Sequence, residues 1–183
     1  EISKHLKVSV DATTFFFFLF DIKRRSQKEA QREKFLKSLP SFTKKSLKTS
    51  QARELEIIGT MLYWAEGFKG NESSTYSAVD FANSDSDMIN LFMKFIRSTF
   101  SLDETKFRVL IYCYSNQDVE KLIKFWSKIT DIPRNQFSKP YIRRDFKIDG
   151  RKMKYGMIHV RYADKRLLLE LKSMIQSYVT KYA

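Results

Sequence analysis

The sequence predicts an α+β domain in which helices cover one face of a largely antiparallel sheet, preceded by a small helical segment. Two observations predict this fold class. From residue 51 onward, runs rich in β-branched and aromatic residues alternate with runs whose apolar residues recur at helical spacing. In addition, 183 residues with a hydrophobic content of 43% are enough to build one core of ordinary size.

Residues 1–22 are predicted to form a partial helix-turn-helix-like segment. The stretch EISKHLKVS resembles the second helix and turn of that motif, and the residues after it take the place of the recognition helix. A helix is predicted there because Phe15, Phe18, Leu19 and Ile22 recur at i, i+3, i+4 and i+7. Two roles remain open for this segment, contact with DNA and packing against the rest of the protein.

The main domain is predicted to span residues 51–183, joined to the first segment by a basic linker at residues 23–50 that Pro40 interrupts. It begins with the helix RELEIIGTMLYWAEG, which Gly67 stops at the position after its last turn. Strands are predicted at residues 74–82 and 106–115, and helices at residues 83–100, 116–130 and 163–179.

Two of these predictions depend on specific signals. Ile89, Phe92, Met93 and Ile96 lie on one face of the helix predicted at residues 83–100, so this face is expected in the core. The dipeptide Asp149-Gly150 stands between the strand-like runs YIRRDFKI and RKMKYGMIHVRY, which predicts a β-hairpin.

The net charge of +13 is concentrated in two segments. Residues 22–50 hold ten Lys or Arg against two acidic residues, and residues 138–156 hold seven against two, so the rest of the chain sums to zero. Such an imbalance costs self-repulsion unless a polyanion binds. Two separate basic segments therefore predict a nucleic-acid partner.

The numbers of cysteines and histidines and the length of the apolar runs exclude three kinds of protein: disulfide-rich proteins, proteins with a zinc site of the usual spacing, and membrane-spanning proteins. The single cysteine, Cys113, excludes an internal disulfide framework, and with only His5 and His159 the chain has no zinc site of the usual spacing. This composition favours an intracellular location, in the cytoplasm or an organelle matrix. The longest apolar run, residues 15–20, is far shorter than the roughly 20 residues that span a bilayer, so no membrane partner is expected.

Glu66 is an unusual residue at the end of the first domain helix. From residue 57 to residue 65 this helix carries no charge, so it is expected to be buried nearly all round. Glu66 follows at the C-terminal end, where the helix dipole repels a carboxylate. Three arrangements remain open for its charge: an ion pair with Lys69, contact with water, or binding of a divalent ion such as Mg²⁺.

The stretch GTMLYWAEG resembles a divergent copy of the motif that names the LAGLIDADG homing endonuclease family. When the two are aligned at their ends, Leu62 takes the fourth position, Ala65 the seventh, Glu66 the acidic eighth and Gly67 the last. The stretches VDFANSDSDMINLFMKFIR and FWSKITDIPRNQFSKPYIRR also resemble divergent bacterial members with an LYWAEG form. The resemblance therefore spans about residues 51–180.

The resemblance implies an αββαββα domain whose antiparallel, saddle-shaped sheet reads the major groove of double-stranded DNA. The motif helix, residues 57–66, would pack against its twin in a homodimer. Glu66 would bind Mg²⁺ for phosphodiester cleavage, and Lys69 would neutralise charge near the phosphates. The helix at residues 117–130, between the preceding strand and the predicted hairpin, is additional to the family topology.

The sequence departs from the family motif at two positions. Trp64 stands in place of Asp, and Met61 in place of the small residue that usually lets the two motif helices approach. Gly59, Thr60 and Ala65 are small residues that still permit a close approach.

Most of the predicted DNA contacts are basic side chains of the second charged segment. Alternation along the predicted hairpin places Arg143, Asp145 and Lys147 on one face, with Arg151 across the turn. The full predicted set consists of Lys69, Lys139, Arg143, Arg144, Lys147, Arg151, Lys152, Lys154 and Arg161. Two other functions remain open: a catalytically inactive DNA-binding transcription regulator on the same fold, and a basic RNA-binding or structural protein in which Glu66 pairs only with Lys69.

Overall fold

The computed structural model describes residues 12–70, 78–144 and 153–182. The chain divides into two compact units, Glu1–Pro40 and Ser41–Ala183. In the first unit, helix α1 spans Ala12–Ser38 without a break. It runs across the boundary predicted at residue 22, because residues 23–38 consist mainly of good helix formers and contain neither Gly nor Pro. The helix-turn-helix-like stretch at residues 1–9 lies outside the described residues.

Residues 42–45, predicted as part of the linker, belong to the second unit. The side chain of Phe42 is buried, and Lys44 forms an antiparallel bridge with Phe100. The backbone N–H of Lys45 donates to the carbonyl of Thr99 at 2.8 Å. The main domain therefore begins about ten residues before the predicted boundary at residue 51, because one aromatic side chain ties this segment to the core.

Within its described residues, the second unit contains four helices and four strands, all but the hairpin close to their predicted positions. Two short 3₁₀ turns, Glu104–Lys106 and Arg134–Gln136, precede β2 and β3. In chain order the elements are α2 (Ser50–Glu66), β1 (Val79–Asn83), α3 (Ser86–Thr99), β2 (Phe107–Tyr114), α4 (Val119–Thr130), β3 (Tyr141–Arg143), β4 (Met157–Tyr162) and α5 (Lys165–Tyr182).

The four strands form one mixed sheet in the order β1-β4-β2-β3. The β1–β4 and β4–β2 pairs are antiparallel, whereas β2 and β3 are parallel. The α+β class is confirmed. Two of the three strand pairs are antiparallel, as expected for a largely antiparallel sheet, but the β2–β3 pair departs from the antiparallel sheet that the family resemblance implies. The reason is helix α4, which connects β2 to β3 and returns the chain so that both strands run in the same direction.

The predicted hairpin requires a second correction. Its turn, Asp149-Gly150, lies outside the described residues. The described parts of the two runs, β3 and β4, do not pair with each other, because each pairs with an opposite edge of β2. The described order of elements, α-β-α-β-α-β-β-α, also differs from αββαββα.

The helices of the second unit cover one face of the sheet. Strand side chains that point to this face are buried, including Phe81 of β1, Val109 of β2 and Val160 of β4. The apolar face predicted for α3 is confirmed, and the ring of its Phe92 stacks on Phe81 with centroids 4.2 Å apart. Asp85 caps this helix by accepting hydrogen bonds from two backbone N–H groups. None of the described helices is both long and apolar enough to cross a bilayer.

Candidate nucleic-acid interface and the end of the motif helix

The inward face of helix α2 packs closely within its own domain. Gly59, Thr60 and Tyr63 are buried on this face. A Cβ atom placed on Gly59 would lie 1.9 Å from Cγ of Phe95 in α3, so only glycine allows this contact. Gly59 and Thr60 therefore serve packing inside the domain, and of the three small residues only Ala65 lies on the exposed side.

We expect Gly59→Ala to lower the free energy of unfolding by about 1–3 kcal/mol. Alanine improves helix propensity by about 1 kcal/mol, but the Phe95 ring has no space to move away from the new methyl group without disturbing the core. Urea unfolding monitored by circular dichroism measures the change. Arg53→Ala, at an exposed position of the same helix, should change stability by less than about 0.5 kcal/mol. A Gly59→Ala protein more stable than wild type would contradict this packing.

The outward face of α2 is apolar. It consists of Ile57, Ile58, Met61, Trp64 and Ala65, here called the outer stripe. Ile57, Ile58 and Trp64 are 45%, 46% and 44% exposed. The prediction that this part of the helix is buried nearly all round is therefore wrong for the single chain, because α2 packs on its own domain through one face only.

The C-terminal end of α2 is fixed to the edge strand β1. The backbone N–H of Phe68 donates to the carbonyl of Asp80 at 2.8 Å, and Gly67 forms an antiparallel bridge with Phe81. Gly67 directly follows the last residue of α2, as predicted, and has an extended conformation with φ −77° and ψ 150°. Glycine is needed there because a Cβ atom would lie 2.3 Å from the ring of Tyr63.

Glu66 and Lys69 both extend into solvent at this end of the helix. The Nζ atom of Lys69 lies 3.5 Å from the carbonyl oxygen of Ala65, near the negative end of the helix dipole. Among the described residues, no ion pair joins Glu66 to Lys69, so the predicted salt bridge is not formed in this structure. Across all the residues that the structure describes, no three His, Cys, Asp or Glu side chains lie close enough together to form a metal-binding group.

In the described part of the second unit, the face of the sheet opposite the helices is not covered by another element, and we call it the open face. Strand alternation and register place polar and aromatic side chains on it. Tyr112 lies at its centre, with ring centroids 5.0 Å from Tyr141 and 4.9 Å from His159. Its members are Asp80, Ala82, Arg108, Leu110, Tyr112, Tyr114, Tyr141, Arg143, Met157, His159 and Arg161.

Asp80 binds two neighbours on the open face. Its Oδ1 lies 2.9 Å from Nδ1 of His159, and its Oδ2 accepts a hydrogen bond from Nε of Arg161 at 2.8 Å. Burial raises the pKa of Asp80, but the hydrogen bonds from His159 and Arg161 outweigh it and hold the pKa below its ordinary value. The carboxylate therefore remains ionised and keeps both side chains in place at neutral pH.

The open face carries an excess of positive charge. Arg161 lies directly opposite Arg108 in the β4–β2 pair, an unfavourable arrangement of like charges that the single carboxylate of Asp80 offsets only in part. Arg143 adds a third exposed guanidinium on β3, and among the described members of this face Asp80 is the only carboxylate. A polyanion that bound here would relieve the repulsion between the arginines.

Six acidic side chains of the second unit have other tasks, away from the open face. Asp85, Asp103 and Asp118 cap helices by accepting backbone hydrogen bonds. Glu104 pairs with Arg97, and Glu120 with Arg134. Asp164 pairs with Lys106 and Arg166, and chiefly the hydrogen bond from Arg166 lowers the pKa of Asp164 to about 2.

The structure brings together some of the predicted DNA contacts but not all. Arg143 and Arg161 both lie on the open face, while Lys139 and Arg144 are exposed on either side of β3. Lys154 instead lies over the ring of Tyr155, 5.0 Å from its centroid. Lys69 lies apart from them, at the end of α2. Three further predicted contacts, Lys147, Arg151 and Lys152, lie outside the described residues, as does Asp145.

Sequence reasoning missed Asp80, His159 and Arg108 as members of a site. Alternation in VDFAN and MIHVRY places Asp80, His159 and Arg161 on the polar faces of their strands, and this signal was present in the sequence. The pairing of β1 with β4, which brings the three together, depends on residues about 80 positions apart.

No protein family, curated protein or solved structure matches this chain.

Proposed function

We propose that the chain binds double-stranded DNA sequence-specifically as a homodimer and cleaves its phosphodiester bonds with Mg²⁺, as LAGLIDADG homing endonucleases do. One observation carries the proposal: helix α2, which contains the motif-like stretch, ends beside the edge strand of a sheet whose open face presents three arginines and three tyrosines. A surface with the charge and chemistry that suit DNA and an exposed carboxylate thus occur on connected elements.

The open face suits duplex DNA by charge and chemistry. Arg108, Arg143 and Arg161 supply contacts for phosphates and base edges. A two-stranded or larger β surface is one of the elements that the major groove admits. The tyrosines add apolar area and hydroxyl groups for hydrogen bonding.

The outer stripe suits a second copy of the same helix. Apolar residues at 57, 58, 61, 64 and 65 repeat at the spacing by which two helices pack against each other. In a two-fold symmetric dimer the outer stripe of one subunit contacts the outer stripe of the other. Two apolar surfaces therefore face each other across the interface. The two copies of Glu66 then follow directly after the paired segments.

The carboxylate of Glu66 fits one half of a magnesium site. Mg²⁺ keeps several waters and is usually bound by one or two carboxylates together with substrate phosphates. A carboxylate that is exposed, and that has no cation partner among the described residues, meets this requirement. When bound, the ion would supply an activated water and stabilise the leaving oxygen of the phosphodiester.

The protein's own residues have separate tasks in this proposal. Glu66 from each subunit would hold a metal ion at the end of α2, and Lys69 would place positive charge near the phosphates. The hydrogen bonds of Gly67 and Phe68 to β1 would keep this end of the helix aligned with the open face. The arginines of the open face would set the position of the duplex.

The proposal is tested by cleavage of a plasmid pool that carries randomised inserts. Sequencing of the new DNA ends should give breaks at one related set of near-palindromic sites with MgCl₂ and none with EDTA. Binding to duplex DNA and duplex RNA is measured in parallel at several salt concentrations. Equal or tighter binding to RNA, with no breaks in DNA, would favour the RNA-binding function instead.

A catalytically inactive regulator on the same fold is the second candidate, and Trp64 favours it. This large side chain lies within the outer stripe, where it would hold two motif helices further apart than small residues would. Such a protein would bind a specific duplex as a dimer without cutting it. Specific binding combined with intact plasmid in MgCl₂ distinguishes this function from the endonuclease.

We expect Arg143→Glu to weaken duplex binding and to reduce the slope of log affinity against log salt by about one unit for each phosphate that the side chain no longer neutralises. Arg143 is exposed on β3, so this change should leave the core intact. Fluorescence anisotropy across a series of salt concentrations measures the slope. Lys128→Glu, an exposed charge reversal near the end of α4, is the matched control and should retain most of the affinity. Equal affinities for wild type and Arg143→Glu would exclude β3 from the interface.

A further inference from the structure

Arg161 lies on the open face, near the end of strand β4, which runs between β1 and β2. Its Nε donates to Oδ2 of Asp80 at 2.8 Å, and its side chain is 43% exposed against 16% for Asp80. The carboxylate thus lies deeper than the guanidinium that it holds. The other oxygen of Asp80 is bound to Nδ1 of His159, so Asp80 is itself fixed at both oxygens.

This geometry determines which part of the arginine faces outward. A guanidinium carries its donors in a rigid planar fork, and a bond through Nε leaves the pair Nη1 and Nη2 at the far end. Because Asp80 already restricts the side chain, binding of a ligand to that pair costs less conformational entropy. The arrangement is therefore pre-organised for a partner with two adjacent acceptors.

We propose that Asp80 is a positioning residue that presents Arg161 for bidentate recognition of the O6 and N7 atoms of one guanine in the bound duplex. This inference rests on the proposed function, since it requires that the open face binds DNA. Guanine is the base whose major-groove edge offers two adjacent acceptors, and arginine is its commonest partner.

The neighbouring charges favour a base over a phosphate at this position. A phosphate in the fork of Arg161 would bring its full negative charge close to Asp80, whereas a guanine edge is neutral. Arg143 has no such carboxylate partner among the described residues and suits a phosphate better. Beside Arg161, a cleft of about 320 Å³ lined by Phe68, Arg108 and Leu110, among others, leaves room for a base edge.

The test uses a guanine analogue that lacks the N7 acceptor. A duplex selected from a random pool by the wild-type protein is resynthesised with 7-deazaguanine at each guanine in turn. At one guanine of each half-site, the analogue should weaken wild-type binding about tenfold. The same analogue should weaken Arg161→Lys binding less than about twofold. Asp80→Asn should lose most of this discrimination while binding unrelated duplex at least as well as wild type, because it removes a negative charge from the interface.

Arg143→Lys is the matched control and should discriminate at that guanine as wild type does. A reduced stability in any variant lowers the affinity for both duplexes alike, so the ratio between guanine and 7-deazaguanine measures the N7 contact alone. Equal ratios in wild type and Arg161→Lys, or full discrimination by Asp80→Asn, would overturn the inference while leaving DNA binding intact. A wild-type protein that selects no duplex would overturn the proposed function itself, at the first step and before any analogue is used.

Discussion

Glu66→Gln is expected to abolish Mg²⁺-dependent DNA cleavage while duplex binding remains close to wild type. The substitution keeps the size and hydrogen bonding of the side chain but removes the negative charge that would hold the metal. We expect a loss of more than about a hundredfold in rate, because even outer-shell partners of metal ligands cost about 10–100-fold when they are changed. Affinity should survive because it comes from the arginines of the open face. Plasmid nicking and fluorescence anisotropy measure the two effects.

Thermal melting separates this role of Glu66 from a salt bridge with Lys69. In the structure Lys69 approaches the carbonyl of Ala65, so removal of the Glu66 charge should leave the melting temperature unchanged or slightly higher. A salt-bridge role requires the reverse: a destabilised fold with any nuclease activity intact. Glu54→Gln, an exposed carboxylate about three turns earlier on the same helix, is the matched control and should change neither property.

A further outcome of that experiment would favour the regulator. If wild type cuts no DNA but a divalent ion raises its melting temperature, and Glu66→Gln removes this shift, then the metal site exists without catalysis. If no divalent ion has any effect, Glu66 has no metal to hold, and the endonuclease function is excluded.

The elements that could be predicted are those whose signal is local. In α3, four apolar residues on one face and a capping Asp85 define the helix and its buried side within a single short stretch of chain. Strand β2 is equally clear, because its burial alternates along the whole of Phe107–Tyr114. Both follow from the spacing of side chains along the chain and need no knowledge of their partners.

The sheet order could not be predicted in this way, because it depends on partners distant in sequence. The dipeptide Asp149-Gly150 suggested that the runs beside it pair with each other, whereas β3 and β4 lie on opposite sides of β2. A turn signal describes a few residues only. The local sequence does not indicate that β2 pairs with β4 along one edge and with β3 along the other. Nor does it indicate that the connection through α4 makes the β2–β3 pair parallel.

Residues of the candidate site could likewise be predicted where their signal is local, and were missed where it depends on distant partners. Glu66 could be identified because the charge-free run before it and the glycine after it are adjacent in sequence. Asp80 and His159 were missed because 79 positions separate them. The outer stripe was misjudged for a further reason: an apolar helix face predicts that something covers it, without indicating whether that is the same chain or another.

The outer stripe leads to the second large expected effect, a change in assembly. We expect wild type to sediment as a dimer at micromolar concentration and Ile57→Glu to sediment as a monomer. Ile57 is 45% exposed in the single chain, so a glutamate there meets water and leaves the domain folded. In a symmetric dimer the substitution places two carboxylates in one apolar interface, which raises the dissociation constant by more than about a hundredfold. Sedimentation velocity with and without duplex DNA measures the assembly.

The same variant should also lose specific binding, because a near-palindromic site is read by two open faces held at a fixed separation. Phe35→Glu is the control: Phe35 is an apolar residue of α1 that is 54% exposed and lies outside the outer stripe, and its substitution should leave the dimer intact. Retention of the dimer by Ile57→Glu would move the interface away from α2. A wild-type protein that stays monomeric with and without DNA would remove the basis for pairing two copies of Glu66. In that case the apolar face of α2 would require a different partner, and a single motif helix could not supply both halves of the metal site.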